Sequence, residues 1–363
     1  MLIHGDSVGI KINDQNSNFF LTGKGLRQGD PLSPILYNMM ADVFSKMLSR
    51  AAKLGLISSL LTRLRPEGIV SLQYADNTLL FLENNVDSSI NLKWILSVFE
   101  HMSGMRINFE KCGMVPINIS AEQINVLAQI FGCKISSFPV KYLGLPLHFA
   151  NLRKEDLQHV INQVLKRAGG WRDRLLSYSA RITLIKSCLA SIPIYLLSVI
   201  KFPAWAIRAI NFHMAHCLLD NYEGHNKYHL AYWDFVTLKK EYDGLGIPNI
   251  REMNICLIAS WIKMYNLDGD KLRKQIVDLK YDTSNPNIFT SRVVDASPFW
   301  KGVMWAAKAA KIGYRWKVGD GRRVKFSEDQ WLGNTSLAIM FWETYFVCNQ
   351  QEATMREVWM EMI

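Results

Sequence analysis

Asp76 stands at a polar step inside an otherwise apolar stretch, Ser71-Leu-Gln-Tyr-Ala-Asp-Asn-Thr-Leu-Leu-Phe-Leu82. β-branched, aromatic and leucine residues flanking a short polar turn predict a β-hairpin. Asp76 and Asn77 suit its turn, because Asp and Asn tolerate left-handed backbone. A carboxylate at the tip of such a hairpin can take a divalent cation; a plain solvated turn accounts for the same residues. A second stretch, Gly25-Leu-Arg-Gln-Gly-Asp-Pro-Leu-Ser-Pro34, carries two glycines and two prolines in a constrained loop that runs into a helix. With Arg27, Gln28 and Gly29 beside that helix N-terminus, the backbone can approach a phosphate or a base edge closely. A third group, His213, His216, Cys217, His225 and His229, matches no firm zinc-ligand spacing, so surface or packing roles are expected for it.

The elements that would position these residues follow from periodicity. Residues 8–12 alternate, 13–16 read as a turn and 19–22 as extended chain. Ser33 is expected to cap a helix whose first position is Pro34. Leu36, Met39, Met40, Val43, Phe44, Met47 and Leu48 form its apolar stripe, and core packing is the expected role of the methionines. A helix is expected over 86–103, with Leu92, Ile95, Leu96, Phe99 and Met102 on one face and Gly104 as its stop. Ile107 and Phe109 read as extended. Ser120 and Gln123 have the spacing of a capping box opening a helix to Phe131, stopped by Gly132. Lys141 to Leu147 reads as strand and turn. From 151 the pattern is helical, with stripes through Leu157, Val160, Ile161, Val164 and Leu165, through Ile182, Ile185, Leu189 and Ile192, and through Ile207, Ile210, Met214 and Cys217. Residues 243–250 turn into an apolar stretch from Ile255 to Tyr265. Residues 266–298 are polar enough to read as a linker, and two strands are expected across Gly319-Asp320-Gly321.

The chain of 363 residues is 49% hydrophobic and 20% charged, enough apolar material for a sizeable core and two or three domains. Its net charge of +10 favours a polyanionic partner, nucleic acid before membrane. The six cysteines include no close pair, which argues against a disulfide framework and fits a reducing compartment. The first residues lack a basic region followed by an apolar core. The most apolar window, 184–200, contains Lys186 and Pro193 and falls short of the roughly 20 residues that span a bilayer. A nuclear or cytoplasmic protein, not secreted and not in a membrane, is expected.

Taken together, Gly25-Leu-Arg-Gln-Gly-Asp-Pro-Leu-Ser-Pro34 and Leu72-Gln-Tyr-Ala-Asp-Asn77 resemble the reverse transcriptases of plant LINE-type (non-LTR) retrotransposons. Further matches follow in the family's order: Ile107-Asn-Phe-Glu-Lys111, Tyr142-Leu-Gly-Leu-Pro146, Trp171 through Pro193 with Ser179-Ala-Arg-Ile-Thr-Leu-Ile185, Gly244-Leu-Gly-Ile-Pro-Asn-Ile250, and Trp316 to Trp331 around Gly319-Asp-Gly-Arg322. The resemblance implies an α+β fold: a partial polymerase palm, an antiparallel sheet with helices, at 1–150. A mainly helical thumb or connection follows at 151–265, then a linker and a zinc-binding-like module at 266–363, cut short with only Cys348 after Trp331.

The family's chemistry is RNA-directed DNA polymerisation on an RNA template and DNA primer, with Mg²⁺ ions that activate the primer hydroxyl and stabilise charge on the phosphate. By resemblance Asp76 is a catalytic metal ligand, and Asn77 occupies the place of a second hairpin Asp. Arg27, Gln28 and Gly29 line the template and nucleotide pocket, Lys111 approaches the phosphates, and Tyr142, Leu143 and Gly144 support the primer. A further metal-binding Asp is expected from a palm strand that would precede Gly25 by more residues than stand before it. Asp6 and Asp14, the acidic residues before Gly25, are assigned no role. An amide where the family has a carboxylate removes a negative charge and a bidentate ligand from a site meant for two dications. The expectation is therefore a catalytically inactive fragment; the alternative is a non-catalytic nucleic-acid-binding protein.

Overall fold

The apolar stripe behind Pro34 folds as α1 (Ser33–Lys53) in the computed structural model, which describes residues 7–21, 29–62, 68–148, 152–168, 176–219, 232–267, 271–281, 296–322 and 324–361. Within the stripe, Phe44, Leu48 and Ala51 are buried and Met40 and Met47 pack against them, whereas Met39 and Val43 face out. Ser33 is the first helical residue and not the cap: Leu32 takes that position, and the Asp30 carboxylate accepts its N–H at 2.8 Å. Proline's missing N–H costs nothing in a first turn.

The chain divides by its contacts into two units, 1–147 and 148–363. The first opens with β1 (Ser7–Val8), β2 (Lys11–Ile12), β3 (Gln15–Asn16) and β4 (Phe20–Leu21), in which β2 pairs with β3 and β1 with β4. The turn is tighter than the sequence suggested: Asn13 and Asp14 alone take positive φ, and Gln15 is already strand. After α1 come β5 (Ser71–Tyr74) and β6 (Asn77–Leu80), then α2 (Val86–Ser103), capped by the Asn85 side chain and ended by left-handed Gly104. Phe44 of α1 meets Phe99 of α2 with ring centroids 4.6 Å apart, and Leu48, Ile57, Val70, Leu92 and Leu96 complete that core. Met102, expected on the buried face, is exposed.

Phe109 lies in a turn and not in extended chain, ahead of β7 (Gly113–Met114). The turn forms because the Asn108 side chain accepts the Lys111 N–H at 3.1 Å. Ser120 and Gln123 flank the start of α3 (Ala121–Phe131) as a capping box would, but their side chains bond each other at 3.2 Å and not the backbone. β8 (Lys134–Ile135) then runs parallel to β7, and β9 (Val140–Tyr142) pairs antiparallel with β10 (Leu145–Leu147). The α+β class holds. Its helices stand with small sheets: among the described residues there are five separate two-stranded ladders, four antiparallel and one parallel.

The second unit is mainly helical. α4 (Lys154–Ala168) and α7 (Ala204–Leu219) pack together, burying Val160 and Val164 on one and Ile210 and Met214 on the other. Between them lie α5 (Tyr178–Leu184), which runs on into a π-helical turn (Ile185–Leu189), and α6 (Ile194–Leu197). α8 (Trp233–Val236) leads through the bend at Gly244 to α9 (Ile250–Leu267). Gly244 is required there, since a Cβ would come within 2.1 Å of the Leu238 carbonyl oxygen. Part of the stretch read as linker is a helix, α10 (Leu272–Tyr281), because Val277 and Tyr281 find apolar partners: Tyr281 stacks on Trp300 of α11 (Pro298–Ala310) at 5.1 Å. The strands expected across Gly319-Asp320-Gly321 are absent among the described residues. Asp320 instead accepts the Arg322 N–H, and Lys325 bridges to Thr354. α12 (Leu337–Met340), α13 (Trp342–Val347) and α14 (Met355–Glu361) end the chain.

Sequence periodicity gave no hint of Asn254. It is fully buried on α9; its amide donates to the carbonyls of Leu197 at 2.7 Å and Ile200 at 2.9 Å, and its oxygen accepts the Phe202 N–H at 3.0 Å. One side chain thus satisfies the open C-terminal end of α6 and the segment after it. Asn254→Leu removes those partners while keeping the branched shape, and is expected to cost about 2–4 kcal/mol. Urea unfolding of the full chain measures it; an unchanged midpoint would show that these carbonyls do not depend on Asn254.

Candidate metal and nucleic-acid site

The hairpin of β5 and β6 is held by four Cα pairs ending in Tyr74 opposite Asn77, which leaves Ala75 and Asp76 as a two-residue loop. The left-handed residue is Ala75, with φ +49°, and not Asp76 or Asn77 as the sequence suggested. A Cβ-bearing residue there is under strain, and the tip has an external tie: the Tyr37 hydroxyl on α1 donates to the Ala75 carbonyl at 2.6 Å. Tyr37 sits one helical turn beyond Ser33, so the same helix that leaves the Gly29 loop also holds the hairpin tip. Between them is an open cleft of about 530 Å³ lined by Ser33, Pro34, Tyr37, Asn38, Tyr74 and Ala75. Tyr74 is 65% exposed, presenting an aromatic face beside the cleft.

Asp76 and Asn77 are both exposed at the tip. The Asn77 amide nitrogen donates to Asp76 Oδ1 at 3.3 Å. The Asn77 side chain therefore spends its amide on the neighbouring carboxylate and adds no charge. Mg²⁺ needs oxygen ligands in near-octahedral array, and a catalytic pair needs several carboxylates. Among the described residues no three His, Cys, Asp or Glu side chains come together to hold a metal ion. One carboxylate and one amide do not make a two-metal centre, so no catalytic step is assigned to a metal here.

The remaining sequence candidates fall in separate places. Arg27 and Gln28 lie outside the described residues. Gly29 takes φ +90° at the entry to the turn before α1, a conformation open to glycine, and a Cβ there would meet open space. Lys111 is exposed in the Asn108 turn, and Tyr142 is half-buried at the end of β9. Leu143 and Gly144, with φ +50° and +83°, make the tight turn of the β9–β10 hairpin. Among the described residues none of Lys111, Tyr142, Leu143 and Gly144 lines the cleft at the Asp76 hairpin. The cleft residues Tyr37, Asn38 and Tyr74 were missed by sequence reasoning. The available signal was Tyr37 standing two turns before Phe44, so that a polar-tipped ring continues the apolar stripe of α1 towards its N-terminus.

Other charged and ligating groups have structural uses. His213 and His216 lie beside Phe212, with ring centroids 5.5 and 6.0 Å away. Burial and the neighbouring His216 hold His213 below the ordinary histidine range. His225 and His229 lie outside the described residues, as does 171–174. Arg181 donates to the carbonyl of Leu176 at 3.2 Å, and Lys186 to that of Leu245 at 2.5 Å. Lys166 and Arg167, by contrast, line an open cleft of about 590 Å³ with Gln163 and Ile192. No helix among the described residues is long and apolar enough to cross a membrane.

Residues 2–147 match the family of reverse transcriptases (RNA-dependent DNA polymerases). Similar proteins include one of Arabidopsis thaliana named as a ribonuclease H protein, 26% identical over 53% of this chain and 32% of its own length. The retrovirus-related Pol polyprotein from the type-2 retrotransposable element R2DM of Drosophila melanogaster is 32% identical over 36% of this chain and 12% of its own. That from the type-1 retrotransposable element R2 of Popillia japonica is 29% identical over 29% of this chain and 16% of its own. Part of the chain is thus similar to Pol polyproteins of retrotransposable elements. The chain spans about a third or less of the length of these curated relatives.

The tie from α1 to the hairpin tip can be tested directly. Tyr37→Phe removes one hydrogen bond at an exposed site, so global stability is expected to change by no more than about 1 kcal/mol. Amide exchange at 74–77 is expected to speed up several-fold by mass spectrometry. Unchanged exchange there would mean that the tip holds itself.

Proposed function

We propose that this chain is a segment of a plant LINE-type reverse transcriptase that binds primer–template nucleic acid but does not polymerise. The observation that carries the reading is the Asn77 amide bonded to Asp76 in the place of a second carboxylate. Two dications held close together need their charge balanced by the ligands, and here a single carboxylate offers itself. Asp76 is the remaining metal ligand of the hairpin. Gly29, with Arg27 and Gln28 ahead of it, is a template and nucleotide contact. Lys111 is a phosphate contact, and Tyr142, Leu143 and Gly144 support the primer. In this reading 1–150 derives from the palm, 151–265 from the thumb or connection, and 266–363 from a linker and a zinc-binding-like module.

The binding half of the proposal is supported by charge and by geometry. The chain carries +10 net charge. The cleft beside the hairpin lies at the N-terminal end of a 21-residue helix, where backbone N–H groups favour an anion. Tyr74 beside it offers a face on which a base can stack. Lys166 and Arg167 add a second cationic cleft suited to backbone phosphates.

One experiment separates the readings. The full chain is mixed with a primed RNA template and deoxynucleotides, with Mg²⁺ or Mn²⁺, and both binding and extension are followed. Binding is expected to weaken about tenfold or more between 50 and 200 mM salt, with no extension. Template-dependent extension that Asp76→Ala abolishes would overturn the inactivity. No detectable binding at low salt would remove the nucleic-acid reading altogether.

A further inference from the structure

Two cysteines outside the hairpin face each other across the parallel ladder of β7 and β8. The register sets Gly113 opposite Lys134 and Met114 opposite Ile135, with the Ser136 N–H donating to the Met114 carbonyl at 2.8 Å. Extended back by one residue, the same register sets Cys112 opposite Cys133. Paired strands lie about 4.8 Å apart, inside the Cα separation of about 4.4–6.8 Å that a disulfide spans. Residues directly opposite in a parallel ladder point to the same face, so the two thiols share a side. The Cys112 thiol and the Met114 backbone across the ladder both act on the Cys133 thiol. Both are reduced; Cys112 is exposed and Cys133 half-exposed, so an oxidant can reach the pair.

We propose that Cys112 and Cys133 form a reversible disulfide that clips the start of β7 to the start of β8. The oxidant is a small-molecule disulfide such as oxidised glutathione. One thiolate attacks it and releases one thiol; the partner cysteine, losing its proton, then displaces the second. Two protein S–H bonds and one small-molecule S–S bond become one protein S–S bond and two small-molecule thiols. The bond closes a loop around α3 and fixes the Asn108–Lys111 turn against the end of that helix. Burial pushes both thiols up, against the lowering influence of the Lys93 ammonium. Thiols of that kind are poor leaving groups, so the bond, once made, resists exchange. Lys93 is itself fixed, with its ammonium on the Phe131 carbonyl at 3.1 Å and 3.5 Å from the centre of the Phe109 ring.

The test uses the full chain in native buffer with oxidised glutathione, followed by alkylation, proteolysis and mass spectrometry. The expected product is a peptide pair linked through Cys112 and Cys133, two hydrogens lighter than the reduced pair, with a matching loss of two of the six free thiols. Cys112→Ser and Cys133→Ser should each leave a glutathione adduct on the remaining partner. In denaturant the linked pair should fall to the level of random pairing among the cysteines. Stable glutathione adducts on both cysteines of the unsubstituted chain would overturn the proposal, as would equal linkage in denaturant. So would a pair left reduced while exposed Cys256 and Cys348 react.

Discussion

The contact on which the first unit depends is the packing of α1 on α2 through Phe44 and Phe99. It is a hydrophobic contact first: burying two such side chains contributes several kcal/mol, on the order of 1.5–3 each. It also fixes the azimuth of α1. Once Phe44, Leu48 and Ala51 face the core, Tyr37, two turns before Phe44 on the same face of α1, is directed to the hairpin tip. The hairpin itself is anchored at its base, where Val70, Leu80 and Leu82 join the same core. Its tip is held by one hydroxyl on one carbonyl. A strong apolar base and a weak polar tip let a short ladder present Asp76 to solvent.

In the proposed reading that arrangement lets the hairpin tolerate an amide in place of a carboxylate. A metal-binding carboxylate contributes little to folding when it is exposed at a turn. Exchanging it for an amide leaves the Tyr74–Asn77 pairing and the apolar base intact. The amide also relieves the repulsion between adjacent carboxylates and adds a hydrogen bond to Asp76. In the proposed reading the hairpin keeps its scaffold and its cleft while its capacity for metal falls. The same separation holds in the second unit, where Arg181 and Lys186 serve backbone carbonyls while Lys166 and Arg167 face an open cleft.

Much of this was legible in the sequence where local signals agree. Val86 through Gly104 carries stripe and stop, and α2 takes those bounds, with Met102 alone of the expected face exposed. Gly132 ends α3 as expected. What was not legible required long-range partners. Ala75 takes the left-handed position because four ladder pairs and Tyr37 set the loop length, and no local preference of alanine announces it. Residues 272–281 read as linker because five polar residues break up as many apolar ones, yet Val277 and Tyr281 suffice once Trp300 is there to receive them. The Gly319-Asp320-Gly321 turn looked like a hairpin, but the Asp320 side chain satisfies the turn locally and Lys325 finds its strand partner at Thr354. At the site, Asp76 and Asn77 were legible by residue type, whereas the cleft beside them depends on how two elements meet.

The central claim is that Asp76 with Asn77 does not hold a catalytic metal pair. Mn²⁺ titration of the full chain, read by electron paramagnetic resonance, addresses it without any need for polymerase activity. The account predicts weak binding of at most one ion at the hairpin, lost in Asp76→Ala and tightened about tenfold or more in Asn77→Asp, where a second negative charge is restored. Tight binding of two ions by the unsubstituted chain, abolished by Asp76→Ala, would contradict it.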